Sequence, residues 1–528
     1  MSTAAASGAA DAPLAAEQAD AGRIPPAWGL LSAFAAIKLV VHLLASQRYG
    51  YFRDELYYLA STGHLDWGYV DHPPLSIAVL AVVRAVLGDS LLAVRLVPIA
   101  AGVAVIYGTG LLAQRLGGGR FAQGLAALAA LLSPVFLGTA RYYSMNALDL
   151  LAWTAAALIA LAAIERERIR DWATLGIVIG CGLLNKISML WFVGGLAAGM
   201  VLTRHRRHLR GPGPWIAAGL AMAIFSPYVV WQVRHGWPTL DFMRNATAYK
   251  MAAVTPLEFV RDQVLSMNPG AAPIWVAGLA FGLFARAAGP GRVLALVYAA
   301  VFSLLVVSGH SRASYLAPAY PMLLALGGVA LARPSRSRHL RQARVAVIGA
   351  TIGFGAALAP LALPLLPVDS FVRYQASLGF RPHTEERHHM GPLPQHYADM
   401  FGWEEMVELV AHAYALLNPK EKATCRVFAQ NYGEAGAVDV LGKRLGLPAA
   451  LSGHNSYWLW GREVPEWDVV IIIGGDRHDN AEFFSDITIV GQTDSPWSMP
   501  YERGLDVSVA RRPRLSLRDA WPRLQAYN

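Results

Sequence analysis

Residues 51–58 read YFRDELYY and follow directly on the first long apolar run of the chain. A second unusual stretch, WGYVDHPP at residues 67–74, comes shortly after it. Both stretches crowd charged, aromatic and rigid residues against the end of a run that is long enough to cross a bilayer. Ionisable groups at a membrane are costly to remove from water, so they are functional-site candidates by default. We therefore treat the loop 48–73 as the candidate functional loop of a membrane protein.

The composition supports this class. The chain has 528 residues, of which 55% are hydrophobic and 15% are charged, whereas soluble domains carry about 25% charged residues. The formal net charge of +9 raises the alternative of nucleic-acid binding. The basic residues, however, lie in short clusters between apolar runs, as cytoplasmic membrane loops do, so we expect no nucleic-acid partner. The two cysteines, Cys181 and Cys425, do not make a disulfide framework.

The apolar runs predict a polytopic α-helical membrane protein, because a helix needs about 20 apolar residues to cross the hydrocarbon core. About eleven runs qualify. They lie near residues 27–47, 91–114, 121–140, 146–164, 172–188, 189–203, 214–233, 273–288, 292–308, 314–332 and 345–366. The apolar run 75–88 is short and contains Arg84, which favours a helix lying along the membrane surface.

Basic clusters between the predicted spans set the orientation. They consist of Arg115 and Arg120; Arg166, Arg168 and Arg170; Arg204, Arg206, Arg207 and Arg210; Arg286 and Arg292; and Arg333, Arg336, Arg338, Arg341 and Arg344. All of them lie on one side of the membrane when the crossings are counted as above, and the positive-inside rule assigns that side to the cytoplasm. We therefore expect the loop 48–73, the segment 141–146, the loop 234–272, the turn 309–313 and everything after residue 367 on the outer side.

Two further regions are expected beside a membrane domain at 27–367. Residues 1–26 begin with an alanine-rich stretch that has scattered acidic residues and no signal-peptide features, which favours a disordered cytoplasmic tail. After residue 367 the polar content rises. There the sequence predicts an amphipathic helix at 404–417 and buried strands at 425–429 and 469–474. Residues 368–528 are therefore predicted to form an extracytoplasmic α/β domain.

Asp54 and Glu55 are the first candidate catalytic residues. Adjacent residues of a helix or strand point in different directions, so we expect the two carboxylates to have different roles. A carboxylate at the edge of a membrane cavity can accept a proton from an attacking hydroxyl or amine, or hold a divalent cation. The alternative is a pair of solvated loop charges next to Arg53.

Asp71 and His72 are candidate metal ligands. Pro73 and Pro74 restrict the backbone that precedes them, so the two side chains are expected in a defined pose. Two residues are a weak metal signal. The other interpretation is that Asp71 caps a helix that begins with proline.

Further polar residues are expected on the same outer side as Asp54. Asp149 begins the fourth span, where a buried carboxylate favours a functional role. Arg141 and Arg312 have the planar guanidinium that suits a phosphate, although snorkelling towards lipid headgroups explains both as well. Tyr315 lies one turn from Arg312, and Lys186 lies near the outer end of a predicted helix.

Several motifs together resemble glycosyltransferase family 39. They are the DE pair at 54–55, WGYVDHPP at 67–74, RYYSMNALD at 141–149, LLNKISML at 183–190, WQVRHGWPTL at 231–240 and SGHNSYWLWG at 452–461. Each motif is weak alone, but their order and spacing are specific, and the resemblance extends from about residue 27 to residue 510. The family contains relatives of the dolichyl-phosphate-mannose protein mannosyltransferases, is similar to the lipid A aminoarabinose transferases, and belongs to the GT-C superfamily.

The resemblance implies a GT-C enzyme of the bacterial cytoplasmic membrane. It would take a sugar from a polyprenyl-phosphate donor on the outer face and pass it to a lipid, glycan or protein acceptor. Asp54 would be the catalytic or acceptor-positioning carboxylate with Glu55 beside it, and Asp149 would be a second acidic position. Asp71 matches the place of a metal ligand, so a divalent metal ion is one implied cofactor; no organic cofactor is implied.

The resemblance also implies that Arg312 and Tyr315 contact the carrier phosphate, with Lys186 and Arg141 as further cations for it. Two other classes remain open from the sequence alone. One is a flippase or other transporter of lipid-linked sugars, although the chain lacks the internal repeats that transporters often show. The other is an assembly protein that docks partners on its outer α/β domain.

Overall fold

The computed structural model describes residues 24–334, 336–382, 386–461 and 466–528. Helices occupy most of the chain up to residue 377, and all five strands of the described residues come after residue 424. The predicted cytoplasmic tail lies outside the described residues, apart from its last three positions.

The helices up to residue 377 include seven that are long and apolar enough to cross a membrane. The α-helices of this part are Trp28–Ala45, Arg53–Ser61, Leu75–Leu87, Leu91–Arg115, Arg120–Leu131, Pro134–Thr139, Met145–Arg166, Ile169–Asn185, Met189–Val201, Gly213–Arg234, Pro238–Asn245, Pro256–Ser266, Ala272–Phe284, Gly291–Ser308, Tyr320–Ala332, Arg338–Ala362 and Val368–Ser377. Each predicted span falls on one or two of them. The prediction of a polytopic helical membrane protein is therefore confirmed.

Some predicted spans are shorter or more broken than expected. Arg120–Leu131 has 12 residues, and Pro134 begins a separate short helix after it. The helix before residue 272 and the helix after it form a pair bent by 96°. Proline prevents a continuous helix because it lacks an N–H group and its ring clashes with the preceding turn. Pro134, after the first of these breaks, and Ser266, before the second, line the cavity described below.

The basic clusters lie together at one end of the helical bundle. Arg115 pairs with Glu165 at 3.0 Å, and Arg207 pairs with Glu167 at 2.6 Å. A side chain added at Gly291 would meet Leu116, which places the turn near residue 290 beside the first cluster. The Arg333 guanidinium lies 5.5 Å from the centre of the Phe281 ring. The clusters that were predicted to share one side are thus neighbours in space.

The last part of the chain forms a mixed α/β domain. Its strands are β1 (Cys425–Ala429), β2 (Ala450–Ser452), β3 (Val469–Ile473), β4 (Phe484–Gln492) and β5 (Asp506–Pro513), and its α-helices are Gln395–Ala398, Trp403–Ala415, Pro419–Thr424, Tyr432–Leu441, Ser456–Trp460, Arg477–Phe483 and Leu517–Ala520. The strand order is β2-β1-β3-β5-β4. β1 runs parallel to β2 and β3, and β5 runs antiparallel to β3 and β4. The predicted strands and amphipathic helix are confirmed, while the predicted boundary at residue 368 stays a prediction.

The helix Arg53–Ser61, here called the first-loop helix, packs into this α/β domain. Its Leu56 and Tyr57 are fully buried in one apolar cluster with Val427 and Ile471 of the sheet. The helix Tyr432–Leu441 crosses it closely at Gly436, where an added Cβ would lie 2.8 Å from the Leu56 carbonyl carbon. The first outer loop is thus part of the core of the C-terminal domain.

Gly436→Ala should destabilise this contact. Backbone atoms on both sides leave no flexible side chain that can move away, so the overpacking should cost about 1–3 kcal/mol of unfolding free energy. Thermal unfolding of the purified protein measures the effect. Gly219→Ala is the matched control, because nothing lies within 4 Å of its added Cβ and alanine favours a helix. An equal response of the two variants would contradict the close contact.

Candidate active site

The first-loop helix places Asp54 and Glu55 on different sides. The helix begins after Phe52, whose backbone is extended and whose N–H group donates to the Glu55 carboxylate at 2.9 Å. Glu55 therefore turns back into the protein and is completely buried, whereas the Asp54 side chain is 33% exposed. Neighbouring positions of a helix point in different directions, as the sequence led us to expect.

Glu55 is held by Arg95 and does not line the cavity described next. The Arg95 guanidinium donates to both carboxylate oxygens, at 3.0 and 2.7 Å. With the bond from the Phe52 N–H group, the backbone N–H of Tyr143 completes four hydrogen bonds to this carboxylate, at 2.9 Å. A buried carboxylate needs such partners because water is absent. Glu55 thus joins the first-loop helix to two membrane segments, and its predicted catalytic role stays a prediction.

A cavity of about 460 Å³ lies between the first-loop helix, the membrane helices and the segment that leads into the α/β domain. Six residues predicted from the sequence line it together: Asp54, Arg141, Asp149, Lys186, Arg312 and Tyr315. Arg53, Glu386 and Asp399 line it as well. Positive and negative side chains therefore share one space, although they come from distant parts of the chain.

Asp149 and Lys186 form the membrane side of the cavity. The Ser188 hydroxyl donates to the Asp149 carboxylate at 2.9 Å, and the Lys186 ammonium lies 3.7 Å from it. Lys186 also donates to Asn146 at 2.8 Å and lies 5.5 Å from the centre of the Tyr315 ring. The backbone at Lys186 is extended, between two helices, and this break turns the ammonium into the cavity.

Arg141 lines the cavity, but two of its N–H groups donate to backbone carbonyl oxygens. They donate to the carbonyl oxygens of Ala362 at 2.8 Å and His396 at 3.1 Å. The guanidinium also packs against the rings of Tyr142 and Tyr397, at 5.1 and 4.8 Å. Its contacts thus tie the last membrane helix to the segment that enters the α/β domain.

Arg312 pairs with Glu386, which the sequence did not single out. Glu386 also lies 4.0 Å from the Lys250 ammonium and accepts a hydrogen bond from Gln395 at 2.9 Å. Burial by itself would raise the pKa of Glu386, but the charges of Lys250, Arg53 and Arg312 outweigh it and lower the pKa to about 2. Glu386 is therefore an ionised partner for the cations around it.

A residue of the α/β domain forms a hydrogen bond with the Asp54 side chain. The Tyr432 hydroxyl donates to an Asp54 oxygen at 3.0 Å. The neighbouring Arg53 donates to the Tyr501 hydroxyl at 2.7 Å and lies 3.8 Å from Asp399. Sequence reasoning missed these partners because each is more than 300 residues from Asp54 along the chain, and no local pattern marks them.

Asp71 and His72 do not line the cavity. Asp71 accepts a hydrogen bond from Tyr57 at 2.8 Å. His72 is buried, and its Nδ1 lies 3.0 Å from the Pro73 carbonyl oxygen. A carbonyl oxygen can only accept, so Nδ1 carries the proton and Nε2 faces Asp71 at 3.9 Å. The helix after them begins at Leu75 without any side-chain cap, so the capping interpretation is not observed.

The predicted metal role of Asp71 and His72 stays a prediction. No group of three histidine, cysteine, aspartate or glutamate side chains is close enough, in the described ranges, to hold an ion. Catalytic zinc sites use three protein ligands, and Asp71 is already bound by a tyrosine hydroxyl. We therefore derive no step that uses a metal.

Comparisons with known proteins agree with this architecture. Residues 71–231 match the family model described as dolichyl-phosphate-mannose-protein mannosyltransferase. The solved structure of ArnT from Cupriavidus metallidurans bound to undecaprenyl phosphate aligns with a TM-score of 0.60 and 14% identity, over 91% of this chain and 98% of that chain. The chain has the GT-C fold. The family model thus confirms the resemblance for residues 71–231, and the structural match confirms the predicted fold.

Two other solved structures share this GT-C fold. The arabinofuranosyltransferase AftD from Mycobacteria aligns with a TM-score of 0.53 and 15% identity, over 93% of this chain and 40% of that chain. An Archaeoglobus fulgidus oligosaccharyltransferase tethered with an acceptor peptide aligns with a TM-score of 0.50 and 14% identity, over 80% and 63%. A search of curated proteins found no match. At these identities the likeness concerns the fold.

Glu55→Gln should destabilise the protein strongly. It leaves the buried Arg95 without its counter-charge, which typically costs about 3–5 kcal/mol. Thermal unfolding of the purified protein measures the loss. Glu165→Gln is the control, because its pair with Arg115 is more exposed and such pairs contribute about 0–1 kcal/mol. If Glu55→Gln unfolded at the wild-type temperature, the structural role of this pair would be wrong.

Glu386→Gln should change how stability depends on pH. The folded-state pKa of Glu386 is depressed to about 2 from the ordinary value of 4.5, so its charge stabilises the wild type above pH 4.5. This contribution is lost as the pH falls towards about 2. The difference in unfolding midpoint between wild type and variant should therefore be largest near pH 7 and shrink below pH 4.5. A difference that stays constant with pH for Glu386→Gln would contradict the prediction.

Proposed function

We propose that the protein is a membrane glycosyltransferase that takes a sugar from a polyprenyl-phosphate donor and attaches it to a lipid, glycan or protein acceptor. One observation carries the proposal: the partly exposed Asp54 carboxylate lines the same cavity as the cations Lys186 and Arg312. A transfer from a lipid phosphate needs a base for the acceptor and positive charge for the phosphate, and this cavity contains both.

The comparisons support this chemistry. The matched family model is that of dolichyl-phosphate-mannose-protein mannosyltransferases, whose described donor is a sugar on a polyprenyl phosphate. The ArnT structure that aligns with 98% of its own length is bound to undecaprenyl phosphate. Both findings point to a phosphorylated isoprenoid as the carrier for this chain.

The reaction is proposed as one in-line displacement with inversion at the anomeric carbon. Asp54 accepts the proton of the acceptor nucleophile, which forms the new bond to the sugar. The bond between the sugar and the phosphate oxygen breaks, and its electron pair stays on the phosphate. Lys186 and Arg312 stabilise the charge that develops there. Because the leaving group is a phosphate, no general acid has to protonate it.

The other cavity residues are proposed to hold this arrangement. Asp149 keeps the Lys186 ammonium beside Tyr315. Glu386 forms an ion pair with the Arg312 guanidinium until the donor phosphate displaces it. Arg141 provides positive charge at the wall of the cavity while its N–H groups bind backbone carbonyls. Glu55 acts on the reaction through the position of the first-loop helix.

The cavity and the α/β domain are proposed to lie on the extracytoplasmic side of a bacterial cytoplasmic membrane. The five basic clusters gather at one end of the bundle, and basic loops favour the cytoplasm. The loop 48–73, which contains Asp54, is one of the connections predicted on the opposite side of the membrane from the basic clusters. A flippase or a docking protein would require neither the base nor its partner from the α/β domain.

Asp54→Asn should slow transfer strongly while leaving the fold intact. Purified protein is incubated with radiolabelled polyprenyl-phosphate sugars and membrane extract, and the labelled product is quantified. Loss of the general base should slow transfer by about 10²–10⁴-fold. Asp241→Asn is the matched control, since this aspartate is 54% exposed and outside the cavity.

Normal turnover by folded Asp54→Asn would contradict the role of Asp54. If the wild type transferred no sugar from a broad panel of donors but moved the carrier between leaflets, the flippase alternative would replace the proposed enzyme.

A further inference from the structure

We infer that Tyr432 of the C-terminal domain is a positioning residue for Asp54, so that this domain completes the active site. The inference rests on the proposed function, because it assigns Tyr432 a part in the same reaction. It concerns a residue that no motif singled out, in a helix far from the membrane part of the sequence.

The hydrogen bond to Asp54 is the first observation. The Tyr432 hydroxyl donates to Asp54 Oδ1 at 3.0 Å. Within the described ranges, this hydroxyl is the one hydrogen-bond donor to the Asp54 side chain; the nearest cation, Arg53 Nε, lies 3.9 Å away. One carboxylate oxygen is therefore held, and the other stays available for the proton of an acceptor.

The position of the Tyr432 ring is fixed on several sides. Its centre lies 4.8 Å from the centres of the Tyr57 and His454 rings, and 5.3 Å from the Arg53 guanidinium carbon. Tyr432 is only 7% exposed, so the surrounding residues leave the ring, and the hydroxyl that it carries, little room to move. A tyrosine side chain has only two torsions, and contacts with these three neighbours restrict them further.

The backbone that carries Tyr432 is fixed as well. The Asn431 side chain caps its helix by accepting from the N–H groups of Gly433 and Glu434. The backbone N–H of Tyr432 donates to His454 Nδ1 at 3.3 Å. Gly436 then allows the helix to approach the backbone of Leu56, two residues after Asp54. The tyrosine and the aspartate are thus held on two helices in direct contact.

The hydroxyl is a permanent donor. Burial, together with the nearby carboxylates, raises the pKa of Tyr432 well above its ordinary value, although Arg53 opposes the shift. The hydroxyl consequently keeps its proton over the working range of an enzyme. It cannot replace Asp54 as the base, but it can hold the carboxylate in one rotamer. Small errors in the placement of a reacting group cost rate.

Tyr432→Phe tests the inference, because it removes the hydroxyl and keeps the ring. Loss of one hydrogen bond to a charged group should lower kcat about 10-fold. The KM for the polyprenyl-phosphate sugar should stay unchanged, since the proposed phosphate contacts Lys186 and Arg312 are not altered. A purely structural role would not separate kcat from KM in this way.

Tyr457→Phe is the matched control. Tyr457 is also a buried tyrosine of this domain whose hydroxyl donates to a carboxylate, that of Asp439 at 2.7 Å. It does not line the cavity. This variant should lose a similar amount of stability but keep the wild-type kcat.

Two double-mutant cycles decide the remaining outcomes. In the Asp54→Asn background, Tyr432→Phe should have no further effect on transfer, because the group that it positions is gone. A second cycle pairs Tyr432→Phe with Asp54→Ala, because asparagine would keep an oxygen that accepts from Tyr432; the thermal unfolding midpoints of these single variants and their double variant should be non-additive. Wild-type kcat in Tyr432→Phe, or additive midpoint shifts, would overturn the inference.

The two proposals fail in distinguishable ways. If the wild type transfers no sugar at all, the proposed function fails, and the unfolding cycle still decides whether Tyr432 holds Asp54. If the wild type transfers sugar but Tyr432→Phe behaves like Tyr457→Phe, only the positioning role of Tyr432 is wrong.

Discussion

The buried ion pair between Glu55 and Arg95 holds the first outer loop on the membrane helices. Both side chains are almost completely inaccessible to solvent, and the carboxylate is satisfied by the guanidinium and by two backbone N–H groups. A charge without its partner at this depth would be strongly unfavourable. The first-loop helix can therefore lie in one orientation only, and that orientation turns the next carboxylate, Asp54, towards the cavity.

The other side of the same helix is covered by the α/β domain. Leu56 and Tyr57 belong to the apolar cluster of the sheet, and Gly436 brings a second helix against them. The first-loop helix is consequently fixed from the membrane side by an ion pair and from the outer side by close packing. Two parts of the chain that differ in composition share one small helix, which explains why the site forms where they meet.

Charge inside the cavity is balanced by pairing. Lys186 lies beside Asp149, Arg312 beside Glu386, and Arg53 beside Asp399. Each cation that the proposed reaction needs is thus accompanied by a carboxylate before any substrate arrives. A phosphate that enters must compete with these carboxylates, whereas a neutral ligand gains little from displacing them.

By itself the sequence determined the membrane class, the positions of the spans, the strands at 425 and 469, and six of the polar residues that line the cavity. These features follow from local patterns: apolar runs of bilayer length, alternation in strands, and charged residues at the ends of spans. The tertiary structure alone decided that Glu55 faces Arg95 instead of the cavity, that Asp71 and His72 lie outside it, and that Glu386, Asp399 and Tyr432 belong to the site. Those contacts join residues that are far apart along the chain, and only the packing of the two domains brings them together.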